Sequence, residues 1–153
     1  MQRLTDPDHE LADMIHGMTG GQIVMADRTG DIPSLPGAYL LAVFLASPFE
    51  LRVSTLPAKT LEPGWYVYAG SARGPGGLKA RVGRHLRAGK MVRWHIDWLT
   101  EAATETFAGL SIEGRECEPM AQIIRSQRFH VPVPGFGSSD CRICPSHLAA
   151  FIA

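Results

Sequence analysis

The feature that most constrains this chain is an uninterrupted apolar run of nine residues, 38–46. A membrane-spanning helix needs about 20 apolar residues, so this run is too short to cross a bilayer. A short run of this kind is typical of a buried β-strand, which we expect over residues 39–46. With 45% hydrophobic and 20% charged residues in a chain of 153, the sequence predicts one globular domain with a substantial core.

Two further segments have the composition of β-strands. Residues 49–56 alternate between apolar and polar side chains, which predicts a strand with one solvent-exposed face. The short link Ser47-Pro48 favours a hairpin between this strand and the first. Residues 65–69 are aromatic and β-branched and follow a proline–glycine turn, so they are predicted as a third strand. Consecutive short strands joined by tight turns favour antiparallel pairing.

Three helices are predicted from the spacing of apolar residues. Residues 78–88 carry an apolar side chain at every fourth position of one stripe. Residues 94–99 are apolar on several sides, which predicts a largely buried helix whose two tryptophans pack one turn apart. Residues 117–128 form the third helix, in which Pro119 is tolerated only in the first turn. With a short strand near residues 107–112, the pattern predicts an α+β fold, a small antiparallel β-sheet flanked by helices.

Residues 1–34 differ in composition from the rest of the chain. They contain six acidic residues against two arginines, and glycines and prolines interrupt their one helical stripe. We interpret them as an acidic, partly flexible N-terminal extension, and residues 35–153 as the folded domain. The first residues lack the apolar core of a secretory signal, and three cysteines need form no disulfide in a reducing compartment. A cytoplasmic location is therefore expected.

The formal net charge of zero conceals one strongly basic segment. Residues 63–96 contain no acidic residue and nearly half of the basic residues of the chain. A local positive field of this kind attracts phosphates, although a solvated helix face has the same composition. We therefore expect an anionic ligand that carries phosphate groups. The residues expected to bind it are Arg73, Lys79, Arg84, Arg87, Lys90 and Arg93.

Arg81 and His85 occupy a different place on the predicted helix 78–88. On a helical wheel they lie beside the apolar stripe, one turn apart, whereas Arg84 and Arg87 point further into solvent. A partly desolvated arginine interacts more strongly with phosphate than an exposed one. The inner pair therefore suits specific chemistry, and a purely structural place at the core boundary is the alternative.

His95 and Asp97 are polar residues inside an apolar run. Buried polar groups need hydrogen-bond partners or a function. Hydrogen bonding within the core accounts for both residues, and a place beside a metal ion or a phosphate is the alternative.

The cysteines suggest a separate metal site. Cys141 and Cys144 have the C-x-x-C spacing, His147 follows three residues later, and Cys117 is the third cysteine. Three thiolates and one imidazole would complete a tetrahedral zinc shell. A single C-x-x-C also fits reduced structural cysteines or a redox pair of Cys141 and Cys144, so zinc stays one of three interpretations.

A set of short motifs resembles the GIY-YIG nuclease superfamily in both content and order. The similarity is closer to a small group of prokaryotic proteins of unknown function within or beside that superfamily, some of which are fused to an endonuclease III-like glycosylase. It covers about residues 36–151. The motifs that carry it are Gly37-Ala38-Tyr39, Tyr68-Ala69-Gly70, Arg81-Val82-Gly83-Arg84-His85, Trp94-His95-Ile96-Asp97, Cys117-Glu118 and the segment 136–148.

The resemblance implies a metal-dependent phosphodiester hydrolase whose partner is nucleic acid, DNA more than RNA. It implies Glu118 as the ligand of one Mg²⁺ or Mn²⁺ ion and Arg81 as the clamp on the scissile phosphate. Tyr39 and Tyr68 would hold the attacking water, one of them as general base, with His85 assisting proton movement. A tyrosine has a pKa of about 10 in water, so it serves as a base only where metal and arginine lower that pKa.

Two departures from the superfamily pattern bear on these roles. The predicted strand 49–56 separates Tyr39 from Tyr68, and Pro119 follows directly after the expected metal ligand Glu118. Two other functions stay open from the sequence. One is a nucleic-acid-binding module without catalysis, and the other is a zinc-stabilised interaction domain.

Overall fold

The computed structural model describes residues 6–137 and 144–152 and has the expected α+β architecture. None of the helices in this part of the chain is long and apolar enough to span a membrane. The helices are α1 (Asp6–Thr19), α2 (Gly77–Leu86), α3 (His95–Ala102) and α4 (Cys117–Arg125), with a short 3₁₀ helix over Ala26–Asp31. The strands are β1 (Ile23–Met25), β2 (Gly37–Leu45), β3 (Phe49–Leu51), β4 (Lys59–Leu61), β5 (Gly64–Ala72), β6 (Glu105–Ile112), β7 (Phe129–His130) and β8 (Leu148–Phe151).

Six of the strands form one antiparallel sheet in the order β1-β6-β2-β5-β8-β7. The apolar strand β2 lies in its middle and pairs along its whole length with β5 and along most of it with β6. All residues of β2 except Phe44 are buried. The apolar run of the sequence is therefore the central strand, as predicted.

Helices cover both faces of this sheet. Because side chains alternate along a strand, Tyr39 and Leu41 of β2 face one side, where they pack with α2 and α3. Leu40 and Ala42 face the other side, where they pack with α1 and α4. The fold thus has three layers, and a functional residue on β2 or β5 is assigned to a face by its position in this alternation.

The predicted strand 49–56 is wrong in both length and pairing. β3 ends at Leu51 and pairs with β4 in a separate two-stranded sheet. It therefore forms no hairpin with β2, because both edges of β2 are occupied by the longer strands β5 and β6. This excursion out of the main sheet allows β2 and β5 to become direct neighbours.

The three predicted helices are present, but α2 and α4 end earlier than predicted, at Leu86 and Arg125, and α3 extends to Ala102. One prediction of burial is also wrong. In α3, Ile96 and Leu99 are buried, whereas Trp98 is 42% exposed and Trp94, the residue before the helix, is 38% exposed. The two tryptophans therefore do not pack in the core as expected. In α4, Pro119 lies in the first turn, the one place where a helix tolerates it.

Residues 6–34, expected as an extension, contribute structure to the domain. Leu11 and Ile15 of α1 are fully buried against the sheet, and β1 adds an edge strand beside β6. Gly109 of β6 makes room for α1, since a Cβ at that position would lie 2.4 Å from a methyl carbon of Ile15. Helix α1 lies on the face of the sheet opposite to the basic helix α2.

Because α1 is buried against the sheet, a substitution in its buried face should strongly affect stability. The same substitution in a flexible extension would have no such effect. Replacing Ile15 by alanine should lower the free energy of unfolding by about 2–4 kcal/mol, because it leaves a cavity between α1 and the sheet. The matched control is Asp13→Ala, an exposed position on the same helix, which should change stability by less than about 0.5 kcal/mol. Urea denaturation followed by circular dichroism measures both. Equal, small effects would mean that α1 does not pack as described.

Candidate functional site

A polar pocket of about 370 Å³, which we call the tyrosine pocket after Tyr39 and Tyr68, opens on the face of the sheet that carries α2 and α3. Four of the five residues predicted as catalytic line it, namely Tyr39, Tyr68, Arg81 and His85. The full lining consists of Tyr39, Tyr68, Gly70, Ser71, Arg81, His85, Arg93, Trp94, His95, Glu116, Gly137 and His147. The pocket therefore combines residues from two strands, two helices and three connecting segments.

The two tyrosines meet because of the register between β2 and β5. Tyr39 lies opposite Gly70 and Leu41 lies opposite Tyr68, so the two phenols are diagonal neighbours on one face. Their ring centroids are 6.5 Å apart. A Cβ at Gly70 would lie 2.3 Å from the Tyr39 hydroxyl oxygen, so only glycine leaves room for this phenol. The long sequence separation between the tyrosines is therefore no obstacle to their meeting.

His85 reaches the same point from α2. The Tyr39 hydroxyl oxygen and His85 Nε2 are 2.6 Å apart, a short hydrogen bond in a buried position. The His85 ring also packs against the rings of Tyr68 and Trp94, with centroid distances of 6.3 Å and 5.9 Å. His85 Nδ1 is buried and has no hydrogen-bond partner within the described residues.

The protonation states of these groups follow from their burial. Burial lowers the pKa of His85 to about 3, so the ring is neutral near pH 7. Burial also raises the pKa of Tyr39 well above 10, despite the opposing charge of Arg81, and raises that of Tyr68 to about 12. In the ligand-free pocket both tyrosines are therefore neutral phenols. A tyrosine serves as a base only where its pKa is lowered, and here both pKa values are raised.

Arg81 is held at the edge of the pocket by Trp94. Its guanidinium carbon lies 4.4 Å from the centre of the Trp94 ring, and that of Arg84 lies 4.3 Å from the same ring. Arg84 makes an additional bidentate ion pair with Asp97, at 2.8 Å and 2.9 Å. Arg81 is partly buried, as predicted, and it lines the pocket. Arg84 was expected to point into solvent, but its side chain is only 16% exposed.

Asp97 is an internal anchor. Its fully buried carboxylate accepts hydrogen bonds from Arg84 and from the backbone amides of Arg93 and Trp94. Burial opposes ionisation of this carboxyl, but the hydrogen bonds outweigh it and lower its pKa. The core-hydrogen-bond interpretation is confirmed for Asp97. His95 lines the pocket, where its Nδ1 accepts a hydrogen bond from the backbone amide of Gly137 at 3.0 Å.

Glu116, not Glu118, is the carboxylate that lines the pocket among the described residues. Glu118 is exposed on the outer side of the first turn of α4. The helix pattern of the sequence does not explain this difference, because Met120 and Ile123 of α4 pack on the face of the sheet opposite to the pocket. Glu116 reaches the pocket from the segment that precedes α4. Glu118 therefore lies outside the pocket, and Glu116 occupies the place that the resemblance implied for Glu118.

The predicted nucleic-acid-binding residues fall into two groups. Arg84 and Lys90 make internal contacts. Arg84 pairs with Asp97, and Lys90 forms an ion pair with Glu101 and donates hydrogen bonds to two carbonyl groups at the end of α2. Arg73 donates a hydrogen bond to the carbonyl of Gly114 and is exposed. The remaining three residues, Lys79, Arg87 and Arg93, are also exposed. Arg93 lines the pocket as well.

Cys117, Cys144 and His147 form a separate cluster of soft metal-ligand residues. Their ligand atoms all lie within 4.8 Å of one another. Cys117 begins α4, directly after Glu116, and His147 lies at the wall of the tyrosine pocket. Cys141, the fourth residue of the predicted zinc set, lies outside the described residues.

The fold and the site define the class of protein. It is a three-layer α+β domain whose pocket gathers two tyrosines, three histidines, two arginines and one glutamate. Residues 38–153 match the model of a protein family described as Domain of unknown function DUF123. Since the match covers most of the chain, the protein belongs to this family. No curated protein and no solved structure matches the chain.

The buried neutral state of His85 predicts a specific loss of stability in acid. The unfolded chain takes up a proton near pH 6.5, whereas folded His85 does so only near pH 3, so its contribution is complete above pH 6.5 and falls as the pH drops. Between pH 7.5 and pH 5, this single group should lower the free energy of unfolding by about 2 kcal/mol.

The measurement is urea denaturation at pH 7.5 and at pH 5. In His85→Phe the drop between the two pH values should be smaller than in the wild type by this amount. His130 is an exposed histidine, and His130→Phe is the matched control that should retain the wild-type drop. An unchanged drop in His85→Phe would show that His85 is not buried in its neutral form.

Proposed function

We propose that this protein is a divalent-metal-dependent hydrolase of phosphodiester bonds in nucleic acid, of the GIY-YIG type. The observation that supports the proposal is that Tyr39, Tyr68, Arg81 and His85 line one pocket together with the carboxylate of Glu116. These residues come from distant parts of the chain and supply an anion-binding group, a proton-transfer pair and a hard oxygen ligand. We propose DNA as the substrate before RNA.

Arg81 has the properties required of a phosphate clamp. Stacking on Trp94 orients its planar guanidinium, so less entropy is lost when it binds an anion. Partial burial reduces the screening of its charge and strengthens its attraction to a phosphodiester. Arg93, exposed at the rim of the same pocket, adds a second positive charge that favours entry of the nucleic-acid backbone.

The Tyr39–His85 pair provides a route for a proton. With its own proton on Nδ1, neutral His85 accepts the Tyr39 hydroxyl proton at Nε2, and the Tyr39 oxygen can then accept a proton from water. Tyr39 need not exist as a free phenolate, because the two transfers occur along one hydrogen-bonded chain. His85 is a weak base in the empty pocket, but a bound anionic phosphate would raise its pKa.

The metal required for this chemistry fits the pocket through one carboxylate. Mg²⁺ and Mn²⁺ prefer oxygen ligands, and Mg²⁺ often binds through a single carboxylate, waters and the substrate phosphate. Glu116 is half-buried at the pocket wall and would be the protein ligand. When bound, such an ion supplies Lewis-acid stabilisation of the phosphoryl oxygens. The ligand chemistry of Cys117, Cys144 and His147 favours zinc instead, independently of hydrolysis.

The test is cleavage of labelled single-stranded, duplex and branched DNA and RNA, with Mg²⁺, Mn²⁺ or EDTA. We expect metal-dependent products that fall by at least about 100-fold in Glu116→Gln and in Arg81→Ala, because each substitution removes stabilisation of the transition state. Glu118→Gln is the matched control, the same change two residues away on an exposed position, and should cleave like the wild type.

Binding to the same substrates separates the alternatives. Affinity should fall steeply with salt because phosphate contacts dominate it, and Glu116→Gln should bind nearly as well as the wild type. Binding without metal-dependent cleavage in the wild type would replace the proposal with a non-catalytic nucleic-acid-binding module. Loss of cleavage in Glu118→Gln but not in Glu116→Gln would refute the assignment of the metal ligand.

A further inference from the structure

Three soft ligands converge from two distant parts of the chain. Cys117 begins α4, whereas Cys144 and His147 lie just before β8, and their ligand atoms are within 4.8 Å of one another. In tetrahedral zinc, bonds of about 2.3 Å to sulfur and about 2.0 Å to nitrogen place ligand atoms roughly 3.5–3.8 Å apart. The three side chains therefore need to close by only about 1 Å to share an ion.

His147 supplies an independent sign of a ligand. Its side chain is 5% exposed, and Nε2 has no hydrogen-bond partner within the described residues. Its backbone is held on both sides, because its amide donates to the carbonyl of Phe136 and its carbonyl accepts from the amide of Ala69, each at 2.9 Å. An unpartnered buried nitrogen is costly for the fold, and coordination to a metal would satisfy it.

We infer that Cys117, Cys144 and His147 bind a zinc ion that ties the start of α4 to the strand β8. Thiolate and imidazole ligands select zinc over magnesium, so this site differs in kind from the carboxylate Glu116. Two thiolates and a neutral imidazole also cancel the charge of Zn²⁺, which suits a site of partly buried and buried residues.

The position of the ion gives it a structural consequence. Glu116 precedes Cys117 directly, and His147 lies at the wall of the tyrosine pocket. A zinc ion here would therefore fix the backbone on one side of the pocket. The inference does not rest on the proposed hydrolase activity, because its test measures the metal alone.

The experiment uses the full chain, prepared without a metal-binding tag and without chelator. Elemental analysis should find stoichiometric zinc, and Co²⁺ exchanged into the site should show the charge-transfer absorption of thiolate-bound cobalt and the visible bands of tetrahedral geometry. In Cys117→Ser, Cys144→Ser and His147→Ala, zinc affinity measured by competition with a chromophoric chelator should fall at least about tenfold. His130→Ala, at an exposed histidine, is the matched control and should retain the zinc.

Any of three results would overturn the inference. Protein that stays metal-free after incubation with zinc, while giving a normal unfolding transition, would exclude the site. Mass spectrometry that finds a disulfide in place of bound metal would assign the cysteines to redox chemistry instead. If the variants do not fold, the cobalt spectrum of the wild type decides alone, and the absence of thiolate charge-transfer absorption contradicts the proposal.

Discussion

The buried carboxylate of Asp97 is the interaction on which the site depends. It accepts two hydrogen bonds from Arg84 of α2 and two from the backbone amides at the start of α3, so one side chain joins the two helices. This junction holds Trp94 beside both arginines of α2 and thereby orients Arg81 at the pocket. Breaking a buried ion pair by removal of one partner costs about 3–5 kcal/mol, far more than an exposed pair such as Arg52–Glu50 contributes.

Burial then determines what the remaining polar groups can do. The same low-dielectric surroundings keep His85 neutral and both tyrosines protonated, which favours proton transfer through a hydrogen bond over a resident phenolate. The charges that the pocket presents to solvent are those of Arg81, Arg93 and Glu116. An anionic phosphate and a divalent cation are the ligands that such a mixture of charges accommodates together.

The sequence predicts much of this fold because its strongest patterns are local. The apolar run of β2, the stripe of α2 and the position of Pro119 each depend on a few neighbouring residues, and the structure bears them out. Pairing was less predictable, since the departure of β3 from the main sheet is decided by competition among distant strands. At the site, Tyr39, Tyr68, Arg81 and His85 were predicted and Glu116 was missed. No local pattern indicated it, because the buried residues of α4 pack on the face of the sheet opposite to the pocket.

The most direct test of the account is a double-mutant cycle on the Tyr39–His85 hydrogen bond, measured as the single-turnover rate of cleavage with Mn²⁺. If the pair transfers a proton as one unit, Tyr39→Phe and His85→Gln should each lower the rate by about 100-fold or more, and the double variant should be no slower than the worse single variant. Rates that multiply in the double variant, or a folded wild-type protein without metal-dependent cleavage, would contradict the account.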